Sequence, residues 1–188
     1  MRRAGNKPLL SGYMQGKDVV IAEVETATGL LIMALQDLHD GECAMIERLP
    51  GVCRNLANEE LRAIVERDAQ RSAGQRDALA GIVRGLGAAC ADAKNIWLRA
   101  ILDDADNDAE TIARGPLRDI ALVGALRKGK QSQRVSYETA IALARGLGTT
   151  EAEAALCSMT RKASETDKSL ATWLSRLTDG LQSSSRRG

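Results

Sequence analysis

Aromatic side chains are the scarcest class in this sequence: of its 188 residues none is Phe, two are Trp and two are Tyr. A β-sheet core usually relies on aromatic and β-branched residues, so this composition disfavours a sheet. It also disfavours nucleic-acid binding by base stacking, which needs aromatic side chains. Ala and Leu are abundant instead, and both are strong helix formers. The composition therefore predicts an all-α protein with an aliphatic core.

Histidine and paired cysteines are equally scarce. The only imidazole is that of His39. The Cys residues are widely scattered and form no C-x-x-C pair: Cys43, Cys53, Cys90 and Cys157. This pattern excludes an ordinary zinc site and favours free thiols in a reducing compartment. No nucleophile is placed beside a histidine in a catalytic motif either, so the sequence favours a protein that is not an enzyme.

Neither sign of charge dominates, since Lys and Arg number 26 against 25 for Asp and Glu. Such a balance gives no general attraction to nucleic acid or to anionic lipid. The longest apolar run, residues 30–35, is too short to cross a bilayer. A signal peptide would require an apolar segment after Arg2 and Arg3, and the sequence has none there. We therefore expect a cytoplasmic protein with no membrane partner.

The chain is long enough for one domain, and its pattern divides it into three parts. Residues 1–26 are predicted to form an N-terminal arm, partly ordered or a short helix, with a basic stretch up to residue 17. Residues 27–182 are predicted to form a helical bundle. Residues 183–188 are too polar to pack and are expected to be a disordered tail.

Apolar residues recur at helical spacing over four long segments within residues 27–182. The first should run from Ala27 to Leu56, with a kink or a break at Pro50. The other three are bounded by capping residues and glycines: Asn58 to Leu86, Pro116 to Leu147, and Thr149 or Thr150 onward.

The connection between the second and third long helices is about thirty residues long and contains a short helix. Ile96, Trp97, Ala100 and Ile101 are its predicted buried face, so that Trp97 would cover a face or an end of the bundle. The other two connections are tight turns, which place helices antiparallel. These lengths predict an antiparallel four-helix bundle with one long crossover.

Polar residues interrupt the apolar stripe in the middle of each long helix. Glu42 lies where Leu38 and Met45 predict an apolar residue, and Asp68 and Gln75 interrupt the second helix in the same way. Since the middles of four helices meet at the centre of a bundle, these side chains should converge there. Ferritin-like bundles hold di-iron or di-manganese centres at that level.

Several segments resemble one family of proteins. They are LQDLHDGECAMIERLPGV, NEELRAIVERDAQRSAGQRDALAGIVRGLGAACADA, GPLRDIALVGALRK and SYETAIALARGLG, together with the final helix. They resemble the YciE/YciF stress proteins, a bacterial group of ferritin-like four-helix bundles, over about Leu30 to Leu177. The resemblance implies a ferritin-like fold, a homodimer, and a mid-bundle metal centre built from acids and histidines.

Most of the ligand positions that the resemblance implies are altered in this chain. Glu42 matches the first-helix glutamate. The positions that are His, Glu and Thr in the second helix of the family are Asp68, Arg71 and Ser72 here. Residues 130–133, KQSQ, replace a cluster of acids and His in the third helix, and residues 161–163, RKA, replace acids in the fourth. His39 lies beside the stripe, so the sequence predicts a vestigial centre of Glu42, Asp68 and Gln75 with no metal.

A buried carboxylate must be paired or neutralised. The sequence offers three candidate charge partners for Glu42 on the facing helices: Lys130, Arg134 and Lys162. An internal salt-bridge cluster would then replace the metals, although a partly solvated Glu42 would need no partner.

Three functions remain open. The first is a degenerate family member that acts as a structural or interaction protein, without a cofactor and as a homo-oligomer, with a dimer favoured. The second is a protein that binds iron or manganese, with iron-handling or oxidase activity. The third is nucleic-acid binding through the basic segment Arg127 to Arg134, which the neutral charge balance disfavours.

Overall fold

The computed structural model describes residues 24–90 and 93–185, with side chains described up to Leu181. Within this part of the chain every regular element is a helix. The helices are α1 (Ala27–Asn55), α2 (Glu59–Gly85), α3 (Ile96–Thr111), α4 (Pro116–Gly146) and α5 (Thr150–Ser185). The predicted helix limits agree with these bounds to within a few residues. Because α5 continues through Ser185, it passes the predicted end of the bundle at residue 182.

Two of the predicted segments fall largely outside the described residues. Of the predicted N-terminal arm, only residues 24–26 are described, and they lead directly into α1. Of the predicted tail, residues 183–185 belong to α5, and residues 186–188 lie outside the description. The expectations for residues 1–23 and for the last residues therefore remain predictions.

Local capping chemistry explains where the helices begin and end. The side chains of Thr26, Asn58 and Asn95 each accept a hydrogen bond from a backbone N–H in the first turn of α1, α2 and α3, respectively. Gly87 and Gly148 follow the ends of α2 and α4 with φ of 79° and 69°. This left-handed conformation suits glycine and reverses the chain after a helix. Gly148 lies in the tight turn between α4 and α5, whereas Gly87 begins the crossover that follows α2.

Pro50 lies inside α1, and it does not divide the helix as the sequence suggested it could. A proline lacks a backbone N–H and so removes one intrahelical hydrogen bond. The helix nevertheless continues to Asn55. The apolar neighbours Leu49 and Val52 are fully buried on either side of Pro50, and their packing holds this turn in the helix.

The long helices form two hairpins that pack side by side. One hairpin is α1 and α2, joined by residues 56–58, and the other is α4 and α5, joined by residues 147–149. α1 packs against α4 and α2 against α5, whereas the backbone of α2 does not closely approach that of α3 or α4 among the described residues. α3 lies against α1 and α4. This is the predicted antiparallel four-helix bundle with its crossover between the second and third long helices, and the prediction is confirmed.

The face of α3 that is buried differs from the predicted one, because the helix is rotated differently about its own axis. Its buried face is Leu98, Leu102, Ala105 and Ala109, whereas Ile96 and Trp97 are exposed. Trp97 is 74% exposed and does not cover a face of the bundle. The side chain of Leu98 packs instead between Gly41 of α1 and Gly129 of α4. A Cβ atom at Gly41 or Gly129 would lie only 3.2 or 3.1 Å, respectively, from a methyl group of Leu98. Two glycines on neighbouring helices thus make the room that fixes this rotation.

The apolar core is split into two clusters. One cluster contains residues from the end of α1, the start of α2, the start of α4 and most of α3, among them Leu49, Leu61 and Leu122. The other gathers the opposite ends of the long helices and includes Leu35, Leu79 and Leu156. Between them lies a buried polar layer. None of the helices in the described residues combines the length and the apolar character needed to cross a bilayer.

A buried polar layer at the bundle centre

Each of the four long helices contributes buried polar side chains to the centre of the bundle. They come from positions in the inward stripe of each helix, where the sequence is polar instead of apolar. The members of this polar layer are Glu42 of α1, Asp68, Ser72 and Gln75 of α2, Lys130 and Gln133 of α4, and Thr166 of α5. The predicted vestigial residues Glu42, Asp68 and Gln75 are therefore all buried at the same level of the bundle.

Glu42 is fully buried, and three donors converge on one of its oxygens. Oε1 accepts from Gln75 Nε2 at 2.8 Å, from Gln133 Nε2 at 3.0 Å and from the Tyr137 hydroxyl at 2.7 Å. The other oxygen, Oε2, is buried and makes no hydrogen bond within the described part of the chain. An unsatisfied buried acceptor typically costs about 1–3 kcal/mol. Glu42 is thus held firmly through one oxygen and poorly satisfied at the other.

Tyr137 is one of the two donors to Glu42 that the sequence did not identify. Burial raises the pKa of its phenol well above the usual value, and the neighbouring Glu42 carboxylate raises it further. The hydroxyl therefore stays protonated and donates to Glu42. Gln133 is the other missed donor. Both residues lie on α4 four positions apart, and this spacing, which places them on one face of the helix, was the available signal.

Lys130 lies in the same polar layer, only 3% exposed. Its Nζ lies 2.5 Å from Asp68 Oδ2 and also donates to Gln133 Oε1 at 3.1 Å. The Thr166 hydroxyl donates to the other Asp68 oxygen at 3.3 Å. Asp68 is therefore satisfied on both oxygens, by a charge from α4 and a hydroxyl from α5.

The predicted ion pair of Glu42 with Lys130, Arg134 or Lys162 is not found among the described residues. Lys130 pairs with Asp68. Arg134 is exposed and pairs with Glu138 along its own helix, and Lys162 is exposed on α5. The physical reason is helix rotation: the inward positions of α4 place Lys130, Gln133 and Tyr137 in the core, which turns Arg134 toward solvent.

The residues of the polar layer do not fit a dinuclear metal centre. Such a centre in a ferritin-like bundle uses about four carboxylates and two imidazoles. Here the layer supplies the carboxylates of Glu42 and Asp68, and the ammonium of Lys130 lies between the helices beside them. His39 is only partly buried, with its Nδ1 3.9 Å from Cys43 Sγ. In the described part of the chain no group of three or more His, Cys, Asp or Glu side chains could hold a metal ion.

The basic segment Arg127 to Arg134 is neutralised by acids. Every cation in it pairs with a carboxylate: Arg127 with Asp167 at 2.8 Å, Lys128 with Asp104 at 3.4 Å, Lys130 with Asp68 at 2.5 Å, and Arg134 with Glu138 at 3.4 Å. These charges point in different directions around α4. The segment therefore does not form the continuous basic stripe that its sequence suggested.

A second buried polar group fixes the crossover onto α1, and the sequence did not indicate it. Asp40 accepts from the Asn95 backbone N–H at 2.8 Å and pairs with the Arg99 guanidinium at 2.7 Å. The hydrogen bond from Arg99 lowers the pKa of Asp40. The neighbouring Asp37, in contrast, has a raised pKa because of burial and of the nearby Asp40 charge. These contacts hold the start of α3 at the middle of α1.

Asp119, in the first turn of α4, is buried at the end of the bundle where α1 turns into α2. Its Oδ1 accepts from the backbone N–H of Ala57 at 2.8 Å and its Oδ2 from that of Asn58 at 3.0 Å. One carboxylate therefore satisfies the turn between α1 and α2 and holds it against the start of α4. This contact fixes how the two hairpins align along the bundle axis.

Two antiparallel hairpins joined by a crossover, with a buried polar layer at mid-height, define a four-helix bundle of the ferritin-like class. Residues 26–181 match the family model DUF892, a domain of unknown function. The chain belongs to this family. No curated protein matches it significantly.

Solved structures of the same architecture support this class. The stress protein YciF of E. coli superposes with a TM-score of 0.79 at 22% identity, over 83% of this chain and 99% of that chain. YcfI, a candidate structural protein from Rhodopseudomonas palustris, gives 0.77 at 21%, over 81% and 97%. A ferritin-like, diiron-carboxylate protein from Bacillus anthracis gives 0.64 at 16%, over 80% and 99%. At these identities the likeness establishes the fold alone, and the fold is ferritin-like.

Proposed function

We propose that this chain is a structural or interaction protein of the YciF type, which acts in the bacterial cytoplasm as a homodimer. In this proposal the centre of the bundle is held by the protein's own side chains in place of a dimetal site, and the chain has no enzymatic activity. The observation on which the proposal depends is the buried ion pair of Lys130 and Asp68. A resident ammonium repels a metal dication at short range and occupies one of the two carboxylates that the layer offers.

The ion pairs around α4 also support this proposal. Each cation of the segment Arg127 to Arg134 has a carboxylate partner, so these charges stabilise contacts within the chain. Among the proteins with the same fold, YcfI is a candidate structural protein. A role as a scaffold or partner would need the fold and the surface but no reactive centre.

A second candidate function is binding of iron or manganese, and one observation favours it. Glu42 Oε2 is buried without a hydrogen bond, so one carboxylate oxygen at the centre is free to contact a cation. The protein of the same fold from Bacillus anthracis is a diiron-carboxylate protein. With only two carboxylates in the layer, such a site would have to take further ligands from outside it.

Elemental analysis distinguishes these two functions. The full chain is purified from media enriched in iron and in manganese, and the metal content per chain is measured together with the mass in solution. We expect metal well below one equivalent and the mass of a dimer. The matched variants are Glu42→Gln, which removes the central charge, and Glu60→Gln, which alters an exposed glutamate on α2. Near-stoichiometric metal that is lost in Glu42→Gln but kept in Glu60→Gln would establish the metal-binding function instead.

A further inference from the structure

The seam between α2 and α5 is a groove that opens to solvent above the polar layer. Two adjoining depressions lie along it, with volumes of about 170 and 380 Å³. Arg71 lines both of them. The floor includes Thr166, which donates to Asp68, and Gln75, which donates to Glu42. The groove therefore lies directly over the buried centre.

Three cations line the groove, and none of them has a partner in the described part of the chain. Arg67 and Arg71 of α2 lie four residues apart, so they project from the same face of the helix. Lys162 faces Arg71 from α5 across the larger depression. All three side chains are exposed, and none makes an ion pair or a side-chain hydrogen bond among the described residues. Like charges at this spacing on a helix are mutually destabilising, and an anion between them would relieve the repulsion.

The other groups along the groove suit an anion as well. Ser158 of α5 and Gln70 of α2 supply neutral hydrogen-bond donors. Glu165 is the one carboxylate among the residues that line the two depressions, and it makes no ion pair in the described structure. Three positive charges against one negative charge leave the groove cationic, in a chain whose formal net charge is only +1.

We propose that the α2–α5 groove binds a small phosphate-type oxyanion, either inorganic phosphate or the phosphate group of a small metabolite. Arginine guanidinium groups match a tetrahedral oxyanion by paired hydrogen bonds, and a lysine adds a mobile point charge. In this proposal Arg67 and Arg71 bind the anion from α2 and Lys162 closes on it from α5. Arg67, Arg71 and Lys162 are not members of the polar layer, so the proposed anion binding does not depend on whether the centre holds a metal.

A nucleic-acid backbone fits this groove less well. A protein that binds the backbone of duplex DNA commonly makes roughly six to ten phosphate contacts, and these extend along its surface. The groove supplies three cations over one short stretch of the seam, and the cations of α4 from Arg127 to Arg134 are already paired. The chain also lacks Phe and has few other aromatic residues for stacking.

The proposal is tested by titrating the full chain with sodium phosphate, with sodium chloride at the same ionic strength as the reference. Thermal unfolding and isothermal titration calorimetry are the two measurements. We expect phosphate, and sulfate to a similar degree, to raise the unfolding temperature above that in chloride. Arg71→Gln should weaken phosphate binding by about tenfold or more, which corresponds to losing one charge-assisted contact. Lys162→Gln should weaken it in the same direction.

The matched controls are two exposed arginines, one on each of the two helices that form the groove. Arg84 of α2 and Arg161 of α5 are exposed, make no ion pair in the described structure, and do not line the groove. We expect Arg84→Gln and Arg161→Gln to keep wild-type phosphate binding. The proposal is overturned if phosphate acts no more strongly than chloride, or if the groove variants and the controls respond alike. Binding of a DNA duplex that phosphate does not displace would also overturn it.

Discussion

The ammonium of Lys130 lies 2.5 Å from Oδ2 of Asp68, and this ion pair joins α4 to α2 through the centre of the bundle. The two helices are diagonal neighbours whose backbones do not approach each other closely in the described structure, and the hydrogen bond from Gln75 to the Tyr137 hydroxyl joins them at the same level. A buried ion pair adds little net stability because both charges must be desolvated, but it can fix the register of the helices that it joins. Lys130 therefore ties the two hairpins together at mid-height.

Removal of the Lys130 charge should be strongly destabilising. Lys130→Met leaves the Asp68 carboxylate buried without a counter-charge, and breaking a buried pair in this way typically costs about 3–5 kcal/mol. The measurement is the free energy of unfolding from urea denaturation. Lys128→Met is the matched control, since Lys128 belongs to an exposed pair with Asp104 and should change stability by about 1 kcal/mol or less.

A double variant separates the pair from other effects. Lys130→Met combined with Asp68→Leu removes both charges and should recover much of the stability that Lys130→Met loses, because apolar replacement of a whole buried pair is often nearly neutral. If the single variant is as stable as the wild type, Asp68 is not a buried charge that depends on Lys130.

Glu42→Ala should also destabilise the protein, by about 3 kcal/mol. The reason is not a stranded cation but the loss of one acceptor shared by Gln75, Gln133 and Tyr137, together with a new cavity. Glu42→Leu fills part of that volume and should lose less, and Glu42→Gln keeps an acceptor oxygen and should lose least. Chemical denaturation gives the order of the three variants. Equal stability of Glu42→Ala and the wild type would show that the three donors find other acceptors.

Tyr137→Phe should cost about 1–3 kcal/mol near neutral pH, because it removes a buried donor to Glu42. It should also reduce the sensitivity to alkali. The pKa of Tyr137 is raised in the folded state, so its contribution is fully present below pH 10.0, the ordinary phenol value, and is lost as pH rises toward the folded pKa. Urea midpoints at about pH 8 and about pH 10.5 test this, and the wild type should lose more between them than the variant. A parallel loss in both proteins would contradict the assignment.

Asp40 should make the stability of the protein fall as the pH is lowered into the acid range, the opposite direction to the effect of Tyr137. Its pKa is lowered in the folded state by the hydrogen bond from Arg99, so its contribution is fully present above 3.8 and is lost as pH falls through the folded value. The pKa of Asp37 is raised instead, so Asp37 is left in place in both proteins that are compared. We expect Asp40→Asn to lose less stability than the wild type between about pH 6 and about pH 3, as measured by urea denaturation. A steeper acid loss in Asp40→Asn would overturn this role.

The limits of the helices could be predicted from the sequence because the signals that set them are local. Asn58 caps α2 with its own side chain, and Gly87 and Gly148 adopt left-handed conformations immediately after helices. The tight turns and the long crossover then left few ways to connect the helices. The polar interruption of the apolar stripe at Glu42 and Asp68 likewise predicted a buried polar layer, since a helix places such positions on one face.

The partners within that layer and the rotation of α3 were decided by the tertiary structure. Glu42 and Lys130 are both at inward positions, but the donors to Glu42 are Gln75, Gln133 and Tyr137, and Lys130 contacts Asp68. These distances depend on how far each helix is rotated and shifted against two others, and the sequence of a single helix does not contain that information. The stripe periodicity therefore determined which side chains are buried, and only the packing of four helices determined which of them touch.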